Sequence, residues 1–133
     1  MILGLGTDLI DSRRIEKMMT DYPARFLEKY FTSEEIKEYE VRENAGTHIL
    51  YLAKRFAAKE AFAKALGTGF QDGLYMKDLQ ILNKEQGKPV IECLNGALEK
   101  LEKFAHGCKG CKIHLSLTDE PPYAQATVII EGI

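Results

Sequence analysis

Apolar residues recur along this chain with two periods, one suited to strands and one to helices. Residues 2–10, Ile-Leu-Gly-Leu-Gly-Thr-Asp-Leu-Ile, form an apolar run that predicts a buried strand. Alternation places Ile2, Gly4, Gly6, Asp8 and Ile10 on one face. The spacing then turns helical: Ile15, Met18 and Met19 make a stripe over 13–20, with Ser12 as the predicted N-cap. Pro23 interrupts, and a short helix through Phe26, Leu27 and Tyr30 follows. Thr32 followed three residues later by Glu35 is a capping box that opens the next helix. The longest helical stretch runs from Thr47 to Leu66 and stops at Gly67. After the glycine-rich loop Gly67–Gly73, residues 77–83 and 88–94 predict a hairpin turned at Glu85-Gln86-Gly87. Residues 95–105 predict a helix carrying Ala97, Leu98, Leu101 and Phe104. Strands at 111–118 and 123–131, turned by Glu120-Pro121-Pro122, complete the chain. Helices and antiparallel hairpins in separate runs predict an α+β fold on a small antiparallel sheet.

A length of 133 residues predicts one domain spanning 1–133. Eighteen Lys and Arg against 20 Asp and Glu give a net charge of −2, so no basic footprint points to nucleic acid. No apolar run approaches the roughly 18–20 residues that span a bilayer, which argues against a membrane segment. The N-terminal apolar stretch precedes its positive charges and carries Asp8, the reverse of a signal peptide, so a cytoplasmic protein is expected. Three cysteines leave at least one unpaired, which fits a reducing compartment. Cys108-Lys109-Gly110-Cys111 could be half of a zinc or redox site, but only His106 and His114 lie nearby as further ligands. The expected reading is a turn before a strand.

Three positions carry chemistry that packing alone does not explain. Asp8 puts a carboxylate within an apolar strand, where burial is costly unless it is paired or holds a metal. Gly4 and Gly6 on its face leave room for a ligand or another backbone. The plain alternative has Asp8 capping a turn at the strand's end, although Leu9 and Ile10 continue the run. In the helix Arg55–Gly67, Phe56, Glu60 and Lys64 share one i, i+4 row flanked by Ala53, Ala57 and Ala63. Alone, Glu60 and Lys64 read as an exposed ion pair. With Asp8, Glu60 becomes half of a hard-oxygen site for Mg²⁺, which takes one or two protein carboxylates plus waters and substrate phosphate oxygens. In Ile113–Asp119, alternation sends Ile113, Leu115 and Leu117 one way and His114, Ser116 and Thr118 the other. That second row is either a solvated sheet face or a wall of donors for a nucleotide or phosphate.

The strand Gly4-Leu5-Gly6-Thr7-Asp8-Leu9, the helix Arg55-Phe56-Ala57-Ala58-Lys59-Glu60-Ala61 with Lys64, and the strand His114-Leu115-Ser116-Leu117-Thr118-Asp119 occur in this order. Gly87-Lys88-Pro89 lies between the second and third blocks. Together, from residue 2 to the end, they resemble the holo-acyl-carrier-protein synthase type of 4′-phosphopantetheinyl transferase. The resemblance implies transfer of phosphopantetheine from coenzyme A to a serine of acyl carrier protein, leaving 3′,5′-ADP. It implies Asp8 and Glu60 as Mg²⁺ ligands, Glu60 also as general base, and Lys64 as the cation balancing charge on the pyrophosphate. Arg55 and His114 would serve the 3′-phosphate and adenosine end, and Gly67 would let backbone approach the ligand. The basic stretch 12–30, with Arg13, Arg14, Lys17, Arg25 and Lys29, would receive the acidic carrier protein. Arg14 and Arg25 would steer and pair while Met18 and Phe26 anchor; without the resemblance the same pattern reads as a solvated charged face over a core Met and Phe.

The resemblance further implies a homotrimer with intersubunit active sites. Val128 and Ile130 beside Leu115 and Leu117 add to that expectation, as apolar strand faces needing cover. Two features depart from the family's pattern: Cys108–Cys111 belongs to none of its motifs, and the loop 43–47 lacks basic residues that some members use near the 3′-phosphate. The rival reading is a nucleotide- or metal-binding module without catalysis. A mere binder has no need of the base and cation that Glu60 and Lys64 would supply beside Asp8.

Overall fold

The computed structural model describes residues 1–44 and 46–133. The chain runs β1 (Ile2–Asp11), α1 (Ser12–Asp21), α2 (Pro23–Tyr30), α3 (Ser33–Glu43) and α4 (His48–Leu66). After a 3₁₀ turn at Met76–Asp78 come β2 (Leu79–Asn83), β3 (Pro89–Cys93), α5 (Asn95–Phe104), β4 (Cys111–Glu120) and β5 (Tyr123–Gly132). β1, β5 and β4 form an antiparallel sheet in that order, and β2 pairs with β3 as a separate hairpin. The α+β class and the element order agree with the pattern of the sequence.

The long helix α4 lies across β1 and β5, and the inner face of β1 is built to admit it. A Cβ on Gly6 would stand 2.6 Å from the backbone nitrogen of Ala65 and press on the carbonyl oxygen of Ala61. Gly4 meets the carbonyl of Ala65 in the same way. Ala57, Ala58, Ala61 and Ala65 complete this close approach from the helix side, all of them buried. Val128 and Ile130 of β5 are fully covered within the chain. The expectation that these two strand positions await a second subunit is therefore corrected: α4 covers them.

β1 is buried on one side only. Leu5 and Leu9, on the face turned from α4, are each 64% exposed. Ile2 does not share the inner face with Gly4, because an irregularity between Ile2 and Gly4 shifts the register. β1 also extends one residue further than predicted, and this moves the cap of α1. Asp11, in extended conformation, is the N-cap and accepts from the Arg13 amide at 3.0 Å. Ser12 is instead the first helical residue, its amide held by the Pro122 carbonyl at 2.7 Å. The capping box of α3 is present as predicted, between Thr32 and Glu35.

Glu35 does more than cap. One of its carboxylate oxygens accepts from Lys59 Nζ at 2.6 Å and from the Thr32 amide at 2.9 Å. The other accepts from the Ile81 amide of β2 at 3.0 Å. Lys59 Nζ also donates to the Tyr30 carbonyl at 2.7 Å, and both side chains are fully buried. The pair thus joins the end of α2, the start of α3, the middle of α4 and β2 at one point.

Two substitutions test these contacts. Lys59→Met leaves the Glu35 carboxylate buried without its cation, a loss of about 3–5 kcal/mol, whereas adding Glu35→Gln recovers most of it. Gly6→Ala forces α4 away from β1 at a cost of about 1–3 kcal/mol. Urea unfolding midpoints measure both, and near-native stability in Lys59→Met would contradict the first.

Candidate active site

The close approach of α4 to β1 brings together side chains that are far apart in the sequence. Lys64, in the last turn of α4, donates to Asp8 Oδ1 and to the Thr7 carbonyl, each at 3.0 Å. Glu60 lies one turn earlier on the same row and is half-buried. Burial pushes its carboxyl above the ordinary range and the Asp8 charge pushes it further, while Lys64 and Arg14 pull it down. Asp8, Glu60 and Lys64 therefore act on one another as a single electrostatic group. Arg14 of α1, read from the sequence as a docking residue, adds its charge to that group. Gly67 ends the helix beside Lys64 with φ at 82°, a left-handed conformation that glycine adopts without strain.

A carboxylate whose proton affinity is raised by burial and by a second carboxylate beside it suits a small divalent cation. Mg²⁺ takes one or two such ligands and draws the rest from water and phosphate. Asp8 and Glu60 fit that donor set. Among the described residues no three His, Cys, Asp or Glu side chains gather into a metal cluster. The Cys108-x-x-Cys111 segment thus has no zinc ligand set, and it forms the turn leading into β4, as expected. Cys93, Cys108 and Cys111 are all free thiols. Burial pushes the Cys93 thiol up to about 12.

Arg55 faces the other flank of α4. Five residues separate it from Glu60, which at about 100° per residue is roughly 140° around the helix axis. It is only 4% exposed. Its Nη2 donates to Asn83 Oδ1 at 3.0 Å and its guanidinium lies 4.3 Å over the Tyr51 ring. A cavity of about 400 Å³ opens here, with Arg42, Lys54, Arg55, Asn83, Pro89 and Leu117 in its wall. Arg42, Tyr51 and Lys54 escaped the sequence reading. The i, i+4 spacing of Tyr51 and Arg55 was the available sign.

His114 joins neither group within one chain. It stands on the sheet face turned from α4, where Nε2 lies 3.0 Å from Glu131 Oε1. Its hydrogen bond holds the Glu131 carboxyl below the usual range. A third region, a cleft of about 930 Å³, runs between α1, α2 and the Met76–Asp78 turn. Met18 and Arg25 line it beside Tyr75 and Lys77. Phe26, expected as an apolar anchor or else as core, is 2% exposed and packs edge-on against Phe31 at 5.5 Å. It is a core residue that forms the floor of this cleft.

Comparison with known proteins gives one consistent result. A family model described as 4′-phosphopantetheinyl transferase superfamily matches residues 4–120. The holo-(acyl-carrier-protein) synthase of Bartonella tribocorum is 46% identical, over 100% of this chain and 98% of its own. The crystal structure of the Neisseria meningitidis synthase superposes with a TM-score of 0.83 at 37% identity, covering 98% of this chain and 99% of that one. The Bacillus anthracis synthase, solved in complex with CoA (3′,5′-ADP), gives a TM-score of 0.78 at 30% identity over 100% and 99% of the two chains.

The charges around Glu60 predict two titration shifts of opposite sign. Asp8→Asn removes a like charge and should lower the Glu60 pKa toward its ordinary value. Lys64→Met removes a favourable cation and should raise it further. Carboxyl carbon NMR titration reads both directly. A Glu60 resonance indifferent to either change would show that the three groups do not act together.

Proposed function

Because the chain belongs to the 4′-phosphopantetheinyl transferase superfamily and is an enzyme of that class, we propose that it transfers phosphopantetheine from coenzyme A to a serine of apo acyl carrier protein. The products are holo acyl carrier protein and adenosine 3′,5′-bisphosphate. The observation that carries this reading is the meeting of Asp8 with Lys64, 56 positions apart in sequence, beside Glu60. In the transfer, the serine oxygen forms a bond to the phosphorus that carries pantetheine. The bond from that phosphorus to the bridging oxygen breaks, and the nucleotide leaves with the electron pair. Such transfers need alignment and charge neutralisation more than covalent help.

Asp8 and Glu60 would hold Mg²⁺, which when bound supplies neutralising charge on the pyrophosphate oxygens. Glu60 takes the serine proton, and its raised affinity for protons suits it to that task. Lys64, fixed by Asp8 and the Thr7 carbonyl, faces the charge that builds on the leaving oxygen. Gly67 lets the ligand approach the helix end, and Arg55 serves the nucleotide end. Arg14 and Arg25 steer the acidic carrier, while Met18 and the floor made by Phe26 receive its apolar contacts.

The working assembly in this reading is a homotrimer. Arg55 and the Asp8–Glu60–Lys64 group lie on opposite flanks of α4, and His114 lies on the far face of the sheet. Two chains side by side would let one ligand bridge such places. The exposed Leu5, Leu9 and Tyr123 side chains offer an apolar face for that contact. The chain acts in the cytoplasm, where its three free thiols stay reduced.

Mass spectrometry of apo acyl carrier protein incubated with the protein, coenzyme A and Mg²⁺ should show the added phosphopantetheine. Glu60→Gln should abolish the shift, and Lys64→Ala should slow transfer by about a hundredfold or more. Wild-type turnover in Glu60→Gln would refute the role given to that carboxylate. A fully active monomer in sedimentation would refute the trimer.

A further inference from the structure

Three free cysteines gather where α5 returns to the sheet, and the reaction proposed above uses none of them. Cys111 opens β4 and pairs with Gly132 of β5. Cys108 lies in the turn before it, between the exposed Gly107 and Lys109. Gly132 locates its sulfur: a Cβ added there would stand 2.5 Å from Cys108 Sγ. Cβ positions directly opposite in an antiparallel pair lie about 4.5–5.5 Å apart and point to the same face. The Cys108 sulfur therefore fills the side-chain place beside Cys111, and the glycine opposite is what admits it. The turn is held in that position. The Cys108 amide donates to the Ala105 carbonyl at 2.9 Å, the Lys109 amide to the Ile133 carbonyl at 2.7 Å, and the Ile133 amide to the Gly110 carbonyl at 2.9 Å.

The third thiol, Cys93 of β3, packs against the core, as does Cys111. Burial pushes Cys93 up to about 12, and the Cys111 charge adds to that. Burial, Cys108 and Glu102 together push Cys111 up as well. Cys111 thus senses both of the other sulfurs. The thiolate is the reactive form, so Cys93 is the poorest nucleophile of the buried pair, and Cys108, next to Lys109 on an exposed turn, is placed to react first.

We infer that Cys108 and Cys111 form a dithiol site for hydroperoxides, oxidised to an intramolecular disulfide while Cys93 stays out of the exchange. The Cys108 thiolate attacks the outer oxygen of the hydroperoxide and the O–O bond breaks. A sulfenic acid forms on Cys108, and the leaving oxygen takes up the proton that the thiol gave, departing as an alcohol, or as water from hydrogen peroxide. The Cys111 sulfur then bonds to Cys108 Sγ, the S–O bond breaks, and a water leaves with the Cys111 proton. Two thiols are oxidised for each peroxide reduced, and a dithiol reductant restores them by exchange. The site is remote from the catalytic group. Asp8 pairs with Ala126 of β5 and Cys111 with Gly132, six positions further along, which is roughly 20 Å of strand.

Treating the full chain with hydrogen peroxide, alkylating it under denaturing conditions and mapping its peptides by mass tests this. The wild type should lose two thiols to a Cys108–Cys111 disulfide, keep Cys93 alkylatable, and regain all three thiols with dithiothreitol. Cys93→Ser should form the same disulfide. Cys111→Ser removes the resolving thiol and should leave a sulfenic acid on Cys108 that dimedone captures. Cys108→Ser should slow thiol loss by about tenfold or more, with circular dichroism confirming that each variant is folded. A disulfide that includes Cys93, one that joins two chains, thiol loss at the wild-type rate in Cys108→Ser, or survival of all three wild-type thiols would each overturn the site.

Discussion

Everything in this molecule depends on how near α4 comes to β1. Two backbones can approach to that distance only where side chains are absent, and Gly4 and Gly6 supply the absence opposite the carbonyls of Ala65 and Ala61. The consequence lies two residues on. Asp8 shares the inner face with the glycines, so the stretch that is stripped of side chains is followed by a carboxylate at the helix flank. Lys64 can reach both Asp8 Oδ1 and the Thr7 carbonyl because the helix axis is this close. A chemical group here is a by-product of a packing rule.

Closeness alone would leave α4 free to roll. A rotation by one residue is about 100° and would exchange the flank that carries Glu60 for another. The buried Lys59–Glu35 pair removes that freedom. Lys59 adjoins Glu60 in sequence, and its ammonium is tied to a carboxylate that also accepts from Thr32 and Ile81. Burying two charges is costly, and a pair of this kind is favourable only when its remaining hydrogen-bonding capacity is filled. Here it is filled from four elements. The cost of such a network is offset by what it fixes: the rotation of α4, and with it the direction in which Glu60 and Arg55 point.

How much of this was legible in the sequence follows from which forces are local. The capping box at Thr32 and Glu35, the stop at Gly67 and the strand alternation of Ile113–Thr118 are set within a few residues, and all appear as read. The row Phe56, Glu60, Lys64 and the strand with Asp8 were legible as separate parts, and the resemblance joined them. What failed was tertiary. Ser12 was displaced as the cap because β1 pairs with β5 one residue further, down to Asp11 opposite Tyr123. Val128 and Ile130 were misjudged because α4 contributes small residues that let it blanket β5. Phe26 was read as a docking anchor with a core position as the alternative, because helical spacing cannot tell which apolar residue meets Phe31 and Phe56. Lys59 gave no sign of burial at all, since its partner lies 24 positions earlier.

The two flanks of α4 also differ in how their charges are balanced. On the side of β1, carboxylates and ammonium groups interleave: Asp8 and Glu60 with Lys64 and Arg14. Such a balanced cluster holds little net charge and suits a cation that arrives with its own anionic ligand. On the side of β2, Arg42 and Arg55 stand over one ring, and among the described residues Arg55 donates to the neutral Asn83 side chain. That flank suits an anion arriving alone. α4 separates the two environments by its own thickness, about 10 Å.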